Sequence, residues 1–270
     1  MNASLPMRNT SEGCSMKTIR NTFDKHPLLN TVASITVFIL IWHLYVTLVQ
    51  VPHFMLPAPL SVLKELVYQF SGSSIWLHIG ITLYEVLVGF ILGVIVGAII
   101  AYAIYKSETL SDYIKPILIF LQVAPKIALV PLFVVWFGLG LTSKIIVVFS
   151  MVVFPIIIGI ESALRQIPSS YYDLLHVVQS PKSKTIVDLE IPYILPEVFA
   201  SLKIAIVQAI IGATVAEWMA GQYGLGYIQS FASSTFNTPL LIAGIVVTII
   251  LGVILYQIIE ILERKYVFWK

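Results

Sequence analysis

Charge is what this chain is short of. Only 11% of its 270 residues are Asp, Glu, Lys or Arg, against roughly 25% in a soluble globular domain. So few charges cannot clothe a water-facing surface, so lipid must be the solvent for much of it. The net charge of +2 is too small to point to a nucleic-acid partner. One cysteine, Cys14, excludes an internal disulfide and a cysteine-built metal centre. Catalytic signatures are missing too. There is no His-Glu-x-x-His metal motif and no Gly-x-Ser-x-Gly elbow, so the chain is not expected to be an enzyme. A Gly-x-x-x-x-Gly-Lys-Ser/Thr loop is also lacking. The stretch Gly138-Leu-Gly-Leu-Thr-Ser-Lys144 holds glycine and lysine in another order. Nucleotide phosphates cannot be cradled here in that way, and no cofactor is expected on this chain.

What the chain has in abundance is apolar length. Hydrophobic residues make up 58% of it, and the mean hydropathy is +0.93. About 20 apolar residues cross a bilayer as a helix. Runs of that kind fall at about 31–51, 79–105, 113–137, 144–163, 196–220 and 238–262, which predicts an all-α polytopic membrane protein with about six transmembrane helices. Residues 1–30 read as a polar N-terminal tail, and residues 31–270 as the transmembrane domain. The first run reads as a retained span, because a cleavable signal would carry its apolar core earlier. Leu60, Leu63, Val67 and Phe70 follow Pro52, Pro57 and Pro59 at helical spacing and predict a short amphipathic helix lying on a surface. In the second run Gly89, Gly93 and Gly97 recur every four residues, a spacing that lets two helices approach closely. Pro125 and Pro131 break the third run.

Lysine and arginine favour the cytoplasmic side. With the N-terminus inside, twelve fall on inner segments: Arg8, Lys17, Arg20, Lys25, Lys106, Lys115, Arg165, Lys182, Lys184, Arg264, Lys265 and Lys270. Only two, Lys64 and Lys144, fall outside, while Lys126 and Lys203 lie in or beside spans. Both termini and the polar stretch 164–195 are therefore expected in the cytoplasm.

That stretch is too long for a simple turn. Ser170-Tyr-Tyr-Asp173 fits a capping box opening a helix from Tyr171 to about Gln179. Ser180-Pro181 reads as a second start, ended by Pro192 before Pro196 opens the fifth span. The product is a hairpin showing Leu174, Leu175, Val177 and Val178. Such a surface either docks in a partner's groove or packs back on its own bundle.

The same stretch resembles the EAA loop of ABC importer permeases. Asp173 stands at the Glu position, Leu174 and Leu175 at the two Ala positions and Gln179 at the Gly position, while Pro192 and Pro196 fall at the pattern's two prolines. The acidic start, spacing and prolines survive; the small residues do not. Ala124-Pro-Lys-Ile-Ala-Leu-Val-Pro-Leu-Phe-Val-Val-Trp-Phe-Gly138, Gly212-Ala-Thr-Val-Ala-Glu-Trp218, Gly224-Leu-Gly-Tyr227 and Leu56-Pro-Ala-Pro59 resemble signatures of the nitrate/sulfonate/taurine-type branch. The resemblance covers about 50–265. It implies a type I importer permease fold and a second permease copy. It also implies an extracytoplasmic substrate-binding protein and a separate ATP-binding subunit that holds ATP and Mg. The location implied is a bacterial-type cytoplasmic membrane. The ATPase contact would be Asp173, Leu174, Leu175, His176, Gln179, Ser180, Pro181 and Lys182. Residues 216–227 look most like those of thiamine-precursor pyrimidine permeases; sulfonate, nitrate and riboflavin are the other substrates the branch implies.

Ionisable groups inside spans are functional candidates by default. Glu85, Gln122, Lys126 and Glu217 are therefore candidates for a translocation path. Lys126 either pairs with Glu85 at the proline kink or lines the path, and Glu217 either gates the outer end or meets the binding protein. The rival class is a secondary carrier driven by an ion gradient. It would show internal repeats and mid-membrane acids, and no clear repeat is present.

Overall fold

The computed structural model describes residues 27–72 and 74–269. Most of the tail expected over 1–30 lies outside them, including Arg8, Cys14, Lys17, Arg20 and Lys25. The described residues contain helices and no strand. They form two compact units, one ending at Ser61 and one starting at Val62.

In the first unit, helix α1 runs Pro27–Val49 and starts ahead of its predicted boundary at Thr31. Proline at a first helical position gives up an N–H that would be unpaired anyway. The helix is about 34 Å long at 1.5 Å per residue, enough to cross hydrocarbon. Three of its hydroxyls are satisfied within the helix: Ser34, Thr36 and Thr47 donate to the carbonyls of Asn30, Val32 and His43 at 2.9, 2.8 and 2.7 Å. That back-bonding lets polar side chains sit in an apolar medium.

Helix α2, Pro59–Ser71, is the short helix predicted from its spacing. Val62 is buried and Leu66 packs on the core, whereas Leu60, Leu63, Val67 and Phe70 are exposed. The apolar stripe read from the spacing is thus the exposed face of the helix.

The second unit is built on α3 (Ser74–Lys106), α6 (Leu141–Arg165) and α8 (Ile191–Ala220). A Cβ on Gly89, Gly93 or Gly97 would stand 2.5, 2.6 or 2.9 Å from Val148, Val152 or Ile156. Each glycine is thus the groove for one β-branched knob of α6, which is the close approach the spacing predicted. The constant offset makes α3 and α6 parallel. Helix α8 runs antiparallel to α6, since Gly159 meets Ser201 while Gly212 meets Met151.

Between α3 and α6 the chain forms a bent pair, α4 (Glu108–Val123) and α5 (Val130–Phe137), joined by a 3₁₀ turn at Lys126–Leu129 and bent by 84°. Pro125 makes the break, and Ala124 before it is extended, as the proline ring requires. Pro131, predicted to be a second break, instead lies in the first turn of α5, where proline is tolerated. Parallel α3 and α6 require this pair to carry the chain back to the level where α3 begins. Lys115 near its start pairs with Glu161 at the far end of α6, while Val130 is buried with Val147 and Ala216 at the other end. The bent pair therefore acts as one crossing, and with the five long helices it makes six. Helix α7 (Ser169–Val177) lies between α6 and α8. Helices α9 (Leu225–Ser234) and α10 (Thr238–Tyr266) complete the unit.

Candidate functional site

The connection between α6 and α8 forms a hairpin at one end of the bundle. Its details depart from the predicted caps. Pro168 is the N-cap of α7 and Ser170 lies inside the helix, so the Ser170–Asp173 capping box is not formed. The helix stops at Val177, earlier than Gln179, in a Schellman motif. Ser180 N–H donates to the Leu175 carbonyl at 2.9 Å, and Gln179 N–H to that of His176 at 3.0 Å. Gln179 has φ +52°, the left-handed conformation that glycine enters without strain. The residue at the pattern's glycine position is thus a helix terminator here, and glutamine holds the conformation at a cost. Replacing Gln179 with Gly is expected to raise the thermal midpoint, by the equivalent of about 1 kcal/mol. Detergent-solubilised protein followed through a melt checks this.

The second arm starts at Lys182 behind Pro181, with no Ser180 cap. Pro192 does not end it, and Pro196 does not begin a new span. One turn (Lys182–Lys184) passes through a wider π-helical stretch (Thr185–Glu190) directly into α8. Pro192 falls in the first turn of α8, where its missing N–H and its ring are tolerated. Along the hairpin Asp173, His176, Gln179, Pro181 and Lys182 are exposed, and Leu175 and Ser180 are half-buried. Leu174 is 61% exposed, Val177 78% and Val178 62%, so the apolar stripe of α7 faces outward rather than onto the bundle.

A polar cluster seats the hairpin. The Glu190 carboxylate, 1% exposed, accepts from Lys106 Nζ at 2.7 Å, from Tyr102 at 3.3 Å and from Tyr172 at 3.4 Å. Tyr172 also shares a 2.8 Å hydrogen bond with Tyr105, and the Lys106 ammonium lies over the rings of Tyr102 and Tyr105. Burial, with Tyr105 and Glu190 beside it, holds the Tyr172 proton above the ordinary phenol range. Sequence reasoning missed Glu190. Its one signal is an acid in the apolar run Leu189-Glu190-Ile191 just before Pro192.

The far end holds the other buried charges. Glu85 does not pair with Lys126. Its partner is Lys144, at 2.8 Å, with Glu85 0% and Lys144 4% exposed. Lys144 had been counted as an outer-loop charge, but the parallel packing of α3 on α6 sets it level with Glu85. Glu217, 1% exposed, accepts from Thr82 at 2.7 Å and from Gly226 N–H at 2.6 Å. Thr82 accepts from Leu225 N–H at 2.8 Å, and His78 Nδ1 lies 3.0 Å from Gly224 N. Three successive backbone N–H groups at the start of α9 are thereby taken by side chains of α3 and α8. Gly224 has φ +113°, and a Cβ on Gly224 or Gly226 would strike the Glu217 carboxylate, so both glycines are required. Glu85 and Glu217 thus face their own chain, with no surface to line a path or meet a partner in this conformation.

Lys126 and Gln122 meet at the bend instead. Lys126 Nζ donates to the Gln122 carbonyl freed by Pro125, at 3.2 Å, and lies 4.8 Å from the centre of the Phe154 ring. Exposed Gln122 also edges a cavity of about 170 Å³ with Phe154 and Ile158. A larger cavity of about 750 Å³, lined by Val207, Ile211, Trp218, Ile249 and Tyr256, opens between α8 and α10. The structure therefore brings together Glu85 with Glu217 and Gln122 with Lys126, and keeps the two pairs apart.

Known proteins resemble this chain in sequence and in fold. A probable ABC transporter permease protein of Haemophilus influenzae is 30% identical over 240 residues, 89% of this chain and 97% of that protein. A formylaminopyrimidine transport permease protein of Halalkalibacterium halodurans is 29% identical, covering 85% and 91%. A riboflavin transport system permease protein of Chloroflexus aurantiacus is 31% identical, covering 90% and 91%. In fold, the chain superposes on the inward-facing MetNI methionine ABC transporter with a TM-score of 0.63 at 18% identity, over 71% of this chain and 97% of the other. The family of binding-protein-dependent transport system inner membrane components matches residues 89–267, from the first knob-receiving glycine of α3 to the end of α10. With two thirds of its length inside that match, the chain belongs to this family and is a permease of the binding-protein-dependent ABC importers.

Proposed function

We propose that this chain moves a small uncharged aromatic molecule, a vitamin precursor of the aminopyrimidine kind, across the membrane. ATP and Mg are held by a separate ATPase subunit. The observation carrying the reading is the outward apolar stripe Leu174, Val177 and Val178 on a hairpin seated by buried polar groups. An apolar helix face shown to water is stabilised by a partner's groove. Around Leu174, the residues Asp173, Leu175, His176, Gln179, Ser180, Pro181 and Lys182 would form the rim and flank of that contact.

Orientation follows from charge. With Lys144 buried in an ion pair, Lys64 is the one lysine left on the outer segments against twelve basic residues on the inner ones, a bias that supports cytoplasmic termini and a cytoplasmic hairpin. A second copy of the chain completes the path, and a binding protein delivers substrate from outside. Closure of the ATPase subunits draws the two hairpins together and rocks the spans between inward and outward access.

The substrate class rests on charge as well. Lys144 is neutralised by Glu85 and Lys203 by Glu263, at 2.8 and 2.7 Å. Among the described residues Lys126 is the span lysine without a carboxylate partner, and it sits on a carbonyl and a ring. A path so poor in free cations suits a neutral ring better than nitrate or a sulfonate. The relatives named for formylaminopyrimidine and riboflavin point the same way. Those named for aliphatic sulfonates and taurine are 27% and 24% identical.

Purification of the tagged protein from its host in mild detergent is expected to bring down an ATPase subunit, one per permease. Proteoliposomes of that complex with its binding protein should take up a labelled aminopyrimidine, with no competition from taurine or nitrate. A chain that purifies folded and alone under ATP-trapping conditions would overturn the importer reading. Uptake blocked by taurine or nitrate would overturn the substrate reading.

A further inference from the structure

We infer that Glu190 is the positioning residue that makes the hairpin and the bundle one moving body. This rests on the importer reading above. Three elements converge on its carboxylate: Lys106 and Tyr102 from the end of α3, Tyr172 from α7, and the π-helical start of the α8 span that carries Glu190 itself. In that stretch Val187 points outward while Glu190 is turned in. Apolar packing at the joint would allow the hairpin to slide over α3. A buried carboxylate with an ammonium and two hydroxyl donors fixes direction as well as distance, and in a low-dielectric surround it resists displacement.

The far side of the hairpin base has a second tie. Tyr193 donates to the Gln166 carbonyl at 3.2 Å, and its ring packs on Tyr171. That bond closes the two strands of the hairpin at its root. It does not reach α3; that link is made by Glu190 together with the direct Tyr172–Tyr105 hydrogen bond at 2.8 Å. A push on the stripe of α7 therefore reaches α3 through the cluster that Glu190 centres, with Tyr172 bonded to both Glu190 and Tyr105, and from α3 it reaches α6 through the glycine–knob register.

The test uses the full complex with its ATPase and binding protein in proteoliposomes, reading substrate molecules imported per ATP hydrolysed. Glu190→Gln and Lys106→Gln are each expected to lower that ratio about tenfold, with ATPase activity retained. The double variant should be no worse than either single one, because both remove one joint. Tyr172→Phe, which keeps the ion pair and loses one hydroxyl, should show a smaller drop in the same direction. It also serves if the charge variants do not reach the membrane. A purely structural role would lower the yield or melting point of the complex and leave the ratio per ATP unchanged, which would overturn the inference. Effects of the single variants that multiply in the double would overturn it too. Failure of the wild-type complex to hold any ATPase would instead sink the importer reading.

Discussion

Uptake is expected to fall at least a hundredfold when Leu174 and Val177 are both replaced by Asp, while the permease still inserts and folds. The two side chains lie on one face of α7, three residues apart, and are 61% and 78% exposed. Neither contributes to the bundle core, so the free protein should melt as the wild type does. Bound to a partner, each would bury an apolar surface contributing about 1.5–3 kcal/mol. Asp removes that contribution and adds the cost of placing a charge in an apolar groove. Together these exceed the roughly 2.7 kcal/mol that corresponds to a hundredfold in affinity. The measurement is co-purification of the ATPase with the variant, with uptake followed alongside. Wild-type uptake in the double variant would remove the docking role of the α7 stripe. Lost expression is not expected, because the substitutions put charge where water already is.

Lys144→Met should cost about 3–5 kcal/mol of stability, a large part of what holds a domain together. Glu85 is fully buried, its Oε1 bonded to Lys144 and its Oε2 with no hydrogen-bond partner. Glu217 lies beside it in the same cluster. Removing the ammonium leaves acidic groups in an apolar interior with no cation among their described neighbours. The companion variant Glu85→Leu with Lys144→Met should recover most of the loss, since a buried ion pair replaced by apolar groups of similar volume is often neutral. Thermal unfolding in detergent, read by the loss of monodisperse protein on a sizing column, separates the outcomes. If Lys144→Met melts within about 2 °C of wild type, the pair contributes little. If the double variant melts no higher than Lys144→Met alone, the loss comes from the packing of the lysine stem rather than from the orphaned acid.

Much of the architecture was legible in the residues. Five of the six apolar runs are single helices long enough for hydrocarbon and the third is a bent pair, because a helix satisfies its own backbone in lipid. Gly89, Gly93 and Gly97 announced a close helix contact, and Pro125 announced a break, because both act through local geometry. The hairpin was legible from its polarity and length. Its internal boundaries were not: Pro192 reads as a stop and Pro196 as the start of the fifth span, yet a π-helical stretch runs straight into α8, with Pro192 in its tolerant first turn and Pro196 inside it. Ser170 read as a cap because its spacing to Asp173 fits one, but Pro168 opened the helix earlier. The candidate charges fared worst. A Lys126–Glu85 pair was one of two readings open for Lys126, whereas the partner of Glu85 lies 59 positions along at Lys144.

By itself the sequence determined that this protein lives in a bilayer, has about six apolar spans and carries one organised polar hairpin. Those follow from hydropathy, chain length and backbone chemistry, which act over a few turns of helix. Only the tertiary structure decided which faces of those helices meet. It placed Lys144 at the level of Glu85, closed Glu217 over the first turn of α9 and turned Glu190 inward beneath the hairpin. The rotation of one helix against another depends on side chains far apart in the chain, and each helix has several apolar faces of nearly equal hydropathy. Knob-into-glycine packing chooses among them, and that choice exists only once the helices are side by side.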